Sequence, residues 1–317
     1  MKNHERKGAA MASGESKGAV IAAVVGNLIV AISKFAAAAI TGSSAMIAEG
    51  IHSLVDTGNG GLLLVGLKKS AIPDDEGHPF GHGKELYFWS LLVAVSIFGI
   101  GGGMSVYEGI SHLYHPSALE NPTVNYLVLA FAMAVEGWSF SVALRHFWKA
   151  KGEMGAWEFI RKGKDPSLYT VVFEDSAAML GLIVAFIGVF LGHLFENPYF
   201  DGGASIVIGI ILMSVAFILV VETKGLLLGE GMEPEGIASL RRIIEADEAV
   251  ERAGDILTLY MGPHALLVNL EVVFKPSLGA EAIHEAIHRI ERAIGAEHPD
   301  VSRIYIEVQS LAGDPAA

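Results

Sequence analysis

SSAMIAEGIHSLVDTGNGGLLLVGL, residues 43–67, is long and apolar enough to cross a bilayer, yet it carries His52 and Asp56 near its middle. A spanning helix needs about 20 mostly apolar residues, and an ionised side chain at its centre costs about 2.5–3.5 kcal/mol even on the gentlest insertion scale. His52 and Asp56 stand four positions apart, so a helix projects both from one face. A second stretch, YTVVFEDSAAMLGLIVAFIGVFLGHLF at 169–195, places Glu174 and Asp175 at similar depth. An imidazole and several carboxylates inside hydrocarbon point to a path for cations.

The rest of the chain suits that setting. Hydrophobic residues make up 52% of the 317 and charged residues 18%, with mean hydropathy +0.46. Spans are predicted near 18–40, 46–67, 86–112, 123–144, 168–194 and 202–223. The predicted fold is an α-helical membrane protein with six transmembrane helices followed by a small cytoplasmic α+β domain. Its parts are a cytoplasmic tail at 1–17, a transmembrane domain at 18–223, the α+β domain at 224–312 and a tail at 313–317. The first apolar stretch is too long for a signal-peptide core and reads as a retained span.

Basic residues set the orientation, because Lys and Arg stay on the cytoplasmic side. They gather in the N-terminal tail (Lys2, Arg6, Lys7, Lys17), in the turn bearing Lys68, Lys69 and Lys84, and in the 145–164 loop. The opposite connections, 41–45, 113–124 and 195–200, contain neither. Both termini are therefore expected in the cytoplasm, with the cytoplasmic (inner) membrane as the lipid bilayer. A net charge of −13, concentrated in the tail domain, offers no basic face to nucleic acid. Without cysteine, any metal must be held by His, Asp, Glu and oxygen donors.

After Val221 charged residues become frequent. Glu235–Glu245 suits an amphipathic helix, Ile256–Tyr260 and Leu266–Phe274 suit strands, Glu281–Ile294 suits a helix, and Val301–Val308 alternates as a last strand. The order is α-β-β-α-β, with helices expected over one sheet face. The glycines of the spans, Gly101 to Gly103 and Gly202-Gly203 among them, read as close helix packing.

Several motifs together resemble the cation diffusion facilitator family of metal transporters over nearly the whole chain. Thr41-Gly42-Ser43-Ser44 leading into Glu49-Gly50-Ile51-His52-Ser53-Leu54-Val55-Asp56 is similar to the family's second-helix signature. His78-Pro79-Phe80-Gly81-His82-Gly83-Lys84, Asp201-Gly202-Gly203-Ala204-Ser205 and Thr258 to Pro263 resemble its second-to-third-helix loop, the start of its sixth helix and the entry to its cytoplasmic domain. The resemblance implies a six-helix homodimer that exports divalent transition metal by proton antiport, with four metal ligands from helices two and five. His52, Asp56 and Asp175 match three of those ligands. Val171 stands where many zinc-transporting members have His or Asp.

The donor chemistry alone fits Zn²⁺ first, with Fe²⁺, Co²⁺ and Mn²⁺ open, because the set is rich in oxygen. The fourth ligand is open between water, a backbone carbonyl, Ser53 and Glu174. Glu174 is one residue from Asp175 and so points about 100° away on an ideal helix. Asn59 continues the His52–Asp56 face, and Glu136 adds an acid in the fourth span; both are candidates for the ion path or its coupling. Metal binding needs neutral imidazole and ionised carboxylate, so it displaces protons. Asp75, His78 and His82 resemble a second, shallower metal site of some members. Lys84 is expected to pair with an acid near the sixth-helix exit, Glu230.

Two alternatives belong to other classes. A sensor or scaffold that kept the fold and lost transport is favoured by Val171. His284-Glu285-Ala286-Ile287-His288 fits the zinc-protease pattern, but Ile294 stands where a longer version needs a third His, so the helix reads as an exposed polar face. The chain is accordingly expected to be no enzyme and to hold no prosthetic group. The resemblance also implies a binuclear cytoplasmic site, but only His284 and Glu307 fit it; Asn269 and Tyr305 replace histidines.

Overall fold

The computed structural model describes residues 25–117 and 120–309; the tails at 1–17 and 313–317 and the start of the first expected span lie outside them. The chain forms two compact units. Of the described residues, one unit holds those up to Val65 with those of Trp89–Gly155 and Ser167–Val221, the other those of Gly66–Phe88, Ala156–Pro166 and from Glu222 onward.

Six long helices carry the apolar sequence among the described residues: α1 (Val25–Thr41), α2 (Ser44–Ser70), α3 (Glu85–Tyr114), α4 (Pro122–Lys151), α6 (Pro166–Phe195) and α7 (Tyr199–Leu228), with a short α5 (Ala156–Lys162) between. By length and composition α3, α4, α6 and α7 are long and apolar enough to cross a membrane. The described part of α1 is a shorter apolar helix. Although α2 has 27 residues, polar insertions such as His52, Asp56 and Asn59 dilute its apolar character. Large apolar side chains such as Ile32, Trp138, Ile210 and Phe217 are exposed on these helices, as lipid contact requires.

Most elements run a few residues past their expected ends; the first strand begins at Val250 rather than Ile256, because it continues through bulges before the apolar run. The fourth span does not end at 144: α4 runs on to Lys151, so Arg145, Lys149 and Lys151 extend a helix rather than a loop. Alanine, lysine and arginine are all good helix formers, and nothing before Gly152 stops the helix. Inside α3, Ile97–Gly103 is π-helical and ends in the triple glycine.

Small residues let α3 and α7 touch through their backbones. A β-carbon added at Gly102 would meet the carbonyl of Gly209, and one at Gly109 the carbonyl of Gly202. Nothing crowds Gly203, whose surroundings are open. The N-terminus of α2 is fixed by buried Asp201 at the start of α7. Its carboxylate accepts from the Ser43 hydroxyl at 2.6 Å, from the Ser44 hydroxyl at 2.9 Å and from the Ser44 and Ala45 amides. An acid satisfying the free N–H groups of a first helical turn is stabilising twice, by hydrogen bonds and by the helix dipole.

In the second unit, α8 (Pro234–Glu245), β1 (Val250–Gly262), β2 (Ala265–Phe274), α9 (Ala280–Glu297) and β3 (Val301–Gln309) follow the expected order. β1 pairs antiparallel with β2, and β2 pairs parallel with β3 through the α9 crossover. Along β2, Leu266, Val268, Leu270 and Val272 alternate into one core. Leu240 and Ile244 of α8 and Ala286, Ile290 and Ile294 of α9 join that core, so both helices cover one sheet face.

Candidate functional site

His52, Asp56 and Asn59 lie on one face of α2. The imidazole is 1% exposed, and its Nδ1 stands 3.4 Å from Asp56 Oδ1. Neither ring nitrogen of His52 nor Asp56 Oδ1 has a hydrogen-bond partner, although all three atoms are buried. Buried polar atoms are nearly always paired, so three lone donor or acceptor atoms in one cluster call for an explanation. A cation held by one imidazole nitrogen and by Asp56 Oδ1 would account for two of the three.

Across from them, α6 presents Glu174 and Asp175. Buried Asn59 donates its amide to Glu174 Oε1 at 2.8 Å, and Ser139 of α4 donates to Asp175 Oδ2 at 3.5 Å. Asp56 lies within electrostatic reach of Glu174, Glu136 and Asp175. The adjacent acids thus turn to different partners, as their angular offset on the helix requires. Even so, His52, Asp56, Glu174 and Asp175 do not converge tightly: no three of them bring ligand atoms within 4.8 Å of one another. Val171 is half-buried one turn before Asp175 and adds no donor.

Glu136 sits in a network that spacing did not reveal. Lys34 of α1 is wholly buried and bonds Glu49, Ser53 and Glu136 at 2.8 Å each. The signal was available: a lysine alone inside the first apolar stretch costs as much as the acids that drew attention to α2.

Among the described residues, the one group of three whose ligand atoms lie within 4.8 Å is Asp75, His78 and His82. A tight turn builds it. Asp75 and His78 exchange backbone hydrogen bonds, and Gly81 takes φ +83°, a left-handed conformation that favours glycine. Asp75 Oδ1 stands 3.3 Å from His78 Nδ1, and Oδ2 stands 3.5 Å from His82 Nε2. The backbone amide of His78 beside Asp75 holds that carboxyl below the usual range. A cavity of about 430 Å³ adjoins it, lined by His78, His82, Lys84, Glu85, Phe88 and Leu227.

Other expectations resolve differently. Glu230 does not take Lys84: Lys164 occupies its Oε2 at 2.7 Å, while the Lys84 ammonium donates to the Leu227 carbonyl at 3.4 Å. The basic 145–164 segment delivers Lys164 to that acid first. On α9, His284, Glu285 and His288 are exposed; His288 Nδ1 pairs with Glu291 at 3.1 Å and its Nε2 with His284 at 3.2 Å. Asn269 and Tyr305 face each other across β2 and β3, and Glu307 lies opposite Glu271.

Helices long and apolar enough to cross a membrane, with buried and unpartnered polar atoms among them, indicate an integral membrane protein. The model of the family described as cation efflux transmembrane domain matches residues 20–228, and the chain belongs to this family, the cation diffusion facilitators. It is 36% identical over 244 residues to the proton-coupled zinc antiporter SLC30A9, mitochondrial, of Homo sapiens, covering 76% of this chain and 43% of that protein. Metal tolerance protein C4 of Arabidopsis thaliana is 31% identical over 261 residues, covering 82% and 57%. The manganese efflux system protein MneP of Bacillus subtilis (strain 168) is 23% identical over 299 residues, covering 92% and 95%. The chain thus spans less than half the length of the zinc antiporter it matches.

Proposed function

We propose that this protein exports a divalent transition metal from the cytoplasm in exchange for protons, with zinc as its first substrate. The observation that carries the reading is the pair of unpartnered His52 nitrogens beside unpartnered Asp56 Oδ1, buried on a helix face that reaches Glu174 through Asn59. His52, Asp56 and Asp175 bind the metal, and Glu174 is the provisional fourth donor. Nitrogen and carboxylate oxygen suit Zn²⁺, while the excess of oxygen leaves manganese, iron and cobalt as competing substrates. The named similarities to a zinc antiporter and a manganese efflux protein support that range.

Coupling follows from ligand chemistry. The groups bind metal only when they have given up protons, so metal entry on one side releases protons and proton entry on the other releases metal. The same cluster serves both ions in turn, and the proton gradient drives the exchange. Asn59 and Glu136 line or couple the path, and Asp75, His78 and His82 form a second metal site. We read the protein as a homodimeric transporter and not an enzyme, with no prosthetic group, residing in the cytoplasmic membrane with both termini in the cytoplasm. The domain limits at residues 18, 224 and 313 belong to the same reading.

Reconstitution into proteoliposomes with an imposed pH gradient tests this. Wild type should move Zn²⁺ with counterflow of protons, and Asp56→Ala or Asp175→Ala should abolish flux while remaining folded. Near-normal flux in either well-folded variant would remove the site assignment. A sensor or scaffold without transport, the reading that Val171 and the loose grouping of the four ligands favour, would show metal binding but no flux in wild type.

A further inference from the structure

Lys34 has no exposed surface, and its ammonium meets Glu49 Oε2, Ser53 Oγ and Glu136 Oε1 at 2.8 Å each, drawing together α1, α2 and α4. An ammonium has three N–H donors, and all three are used. Each carboxylate also keeps a second oxygen, Glu49 Oε1 and Glu136 Oε2, that is buried without a hydrogen-bond partner. The site therefore sets three oxygens, two of them from carboxyl groups, 2.8 Å from one positive point. Oxygen donors of this kind are what Mn²⁺, Mg²⁺ and other hard cations take. Ser53 follows His52 on α2, about 100° round the helix, and Lys34 lies within electrostatic reach of His52 and Asp56, so this oxygen site neighbours the nitrogen-bearing one.

Two adjacent places for a cation in one bundle would divide the transported ion between them. Glu49 and Glu136, unopposed, would hold a divalent ion through carboxylates alone and retain it. We propose that Lys34 is a resident cation: its ammonium fills the Glu49–Ser53–Glu136 oxygen site, which would otherwise take divalent metal, and so confines the transported ion to His52 and Asp56. Lys34 is in these terms a specificity-determining and positioning residue that does not touch the substrate. Lysine suits this place, because a compact ammonium with three rotatable donors matches three acceptors around a point, whereas a planar guanidinium does not. The proposal rests on the reading of His52 and Asp56 as the transport site.

The test measures Mn²⁺ bound per chain by equilibrium dialysis of the full-length protein in detergent, with the spin-resonance signal of bound Mn²⁺ as a second readout. Lys34→Met should bind about one further Mn²⁺ per chain, because the vacated oxygens coordinate it. Lys34→Arg, which keeps the charge, should bind no more than wild type, and Lys34→Met with Glu49→Gln should lose the further ion. Equal stoichiometry in wild type and folded Lys34→Met would overturn the proposal and leave Lys34 as a strut between helices. If Lys34→Met does not fold, Lys34→Ala, which puts no donor in the oxygen site, replaces it. Failure of both to fold even with added Mn²⁺ would equally overturn it, since the metal should substitute for the ammonium. Repeating the comparison with Asp56→Ala separates the two readings: the Lys34-dependent ion persists there whether or not His52 and Asp56 form the transport site.

Discussion

Asn59 of α2 donates its side-chain amide to Glu174 of α6 across 2.8 Å, tying the helix that carries His52 and Asp56 to the helix that carries Asp175. The bond crosses 115 residues of sequence and joins the two halves of the candidate metal site. It also holds Glu174 by one carboxyl oxygen, Oε1.

Asn59→Leu should therefore act through Glu174. A hydrogen bond contributes about 0.5–1.5 kcal/mol, so removal should lower the kcat/KM of metal uptake by roughly two- to tenfold. Glu174→Gln should cause a comparable loss, and the double variant should fall no further than the worse single one, because partners in one bond are not additive. Fully additive losses in reconstituted uptake would show that the two residues serve separate steps.

The turn bearing Asp75, His78 and His82 permits a check that involves no transport. His82 is the best anchored of the three, with a side chain 9% exposed and Nδ1 at 3.1 Å from the Pro73 carbonyl, which leaves Nε2 toward Asp75. A carbonyl that accepts from the nitrogen facing away from the metal and so fixes the tautomer is a regular feature of histidine ligands, and losing such support alone costs about 10–100-fold in affinity. His82→Ala should thus weaken Zn²⁺ binding at this turn by at least about tenfold. Titration calorimetry in an Asp56→Ala background, which silences the helix site, reads it; unchanged binding would show that the turn holds no metal.

Acid stability of the second unit should depend on Asp247. Its carboxylate takes two bonds from Arg289, Nε to Oδ2 and Nη2 to Oδ1, each 2.8 Å, and the guanidinium holds its carboxyl below the usual range. A carboxyl lowered on folding stabilises the native state above its unfolded value, near 3.9, and loses that contribution as pH falls through the lower folded value. Because Arg289 is 40% exposed, solvent limits the pair to about 0.5–1 kcal/mol. Asp247→Asn should melt a few degrees lower than wild type at pH 7, and the gap should begin to close near pH 3.9 and vanish only below the lower folded value. A gap that persists in acid would mean that the side chain acts by packing.

How far the sequence carries differs from element to element. The long helices follow from apolar length, and the inward face of β2 from the alternation of Leu266, Val268, Leu270 and Val272. Spacing on one helix likewise puts His52, Asp56 and Asn59 on a common face. Pairings between distant segments are another matter. Lys34 and Glu136 are 102 residues apart, and no periodicity joins them; only the high cost of a charge at membrane depth says that each needs a partner. The choice of Lys164 over Lys84 for Glu230 was equally hidden, because two lysines of like chemistry compete and only the folded backbone decides which one reaches.

Val171 tests the site from its weakest side. It lies one turn before Asp175 on α6, so the two side chains share a helix face, and it is half-buried with no donor to offer. Val171→His would add an imidazole nitrogen to His52, Asp56 and Asp175. Two imidazoles and two carboxylates suit Zn²⁺, whereas Mn²⁺ prefers oxygen, so selectivity should shift toward zinc. A shift of roughly tenfold in the ratio of the two uptake rates corresponds to about 1.4 kcal/mol, a modest return for one new ligand. The new side chain is larger and polar, so folding is checked by monodispersity before uptake is compared. Competitive uptake of the two metals by wild type and Val171→His decides the point. If both proteins are active and the ratio does not move, position 171 does not face the ion, and the fourth donor is to be sought at Glu174, at Asn59 or elsewhere.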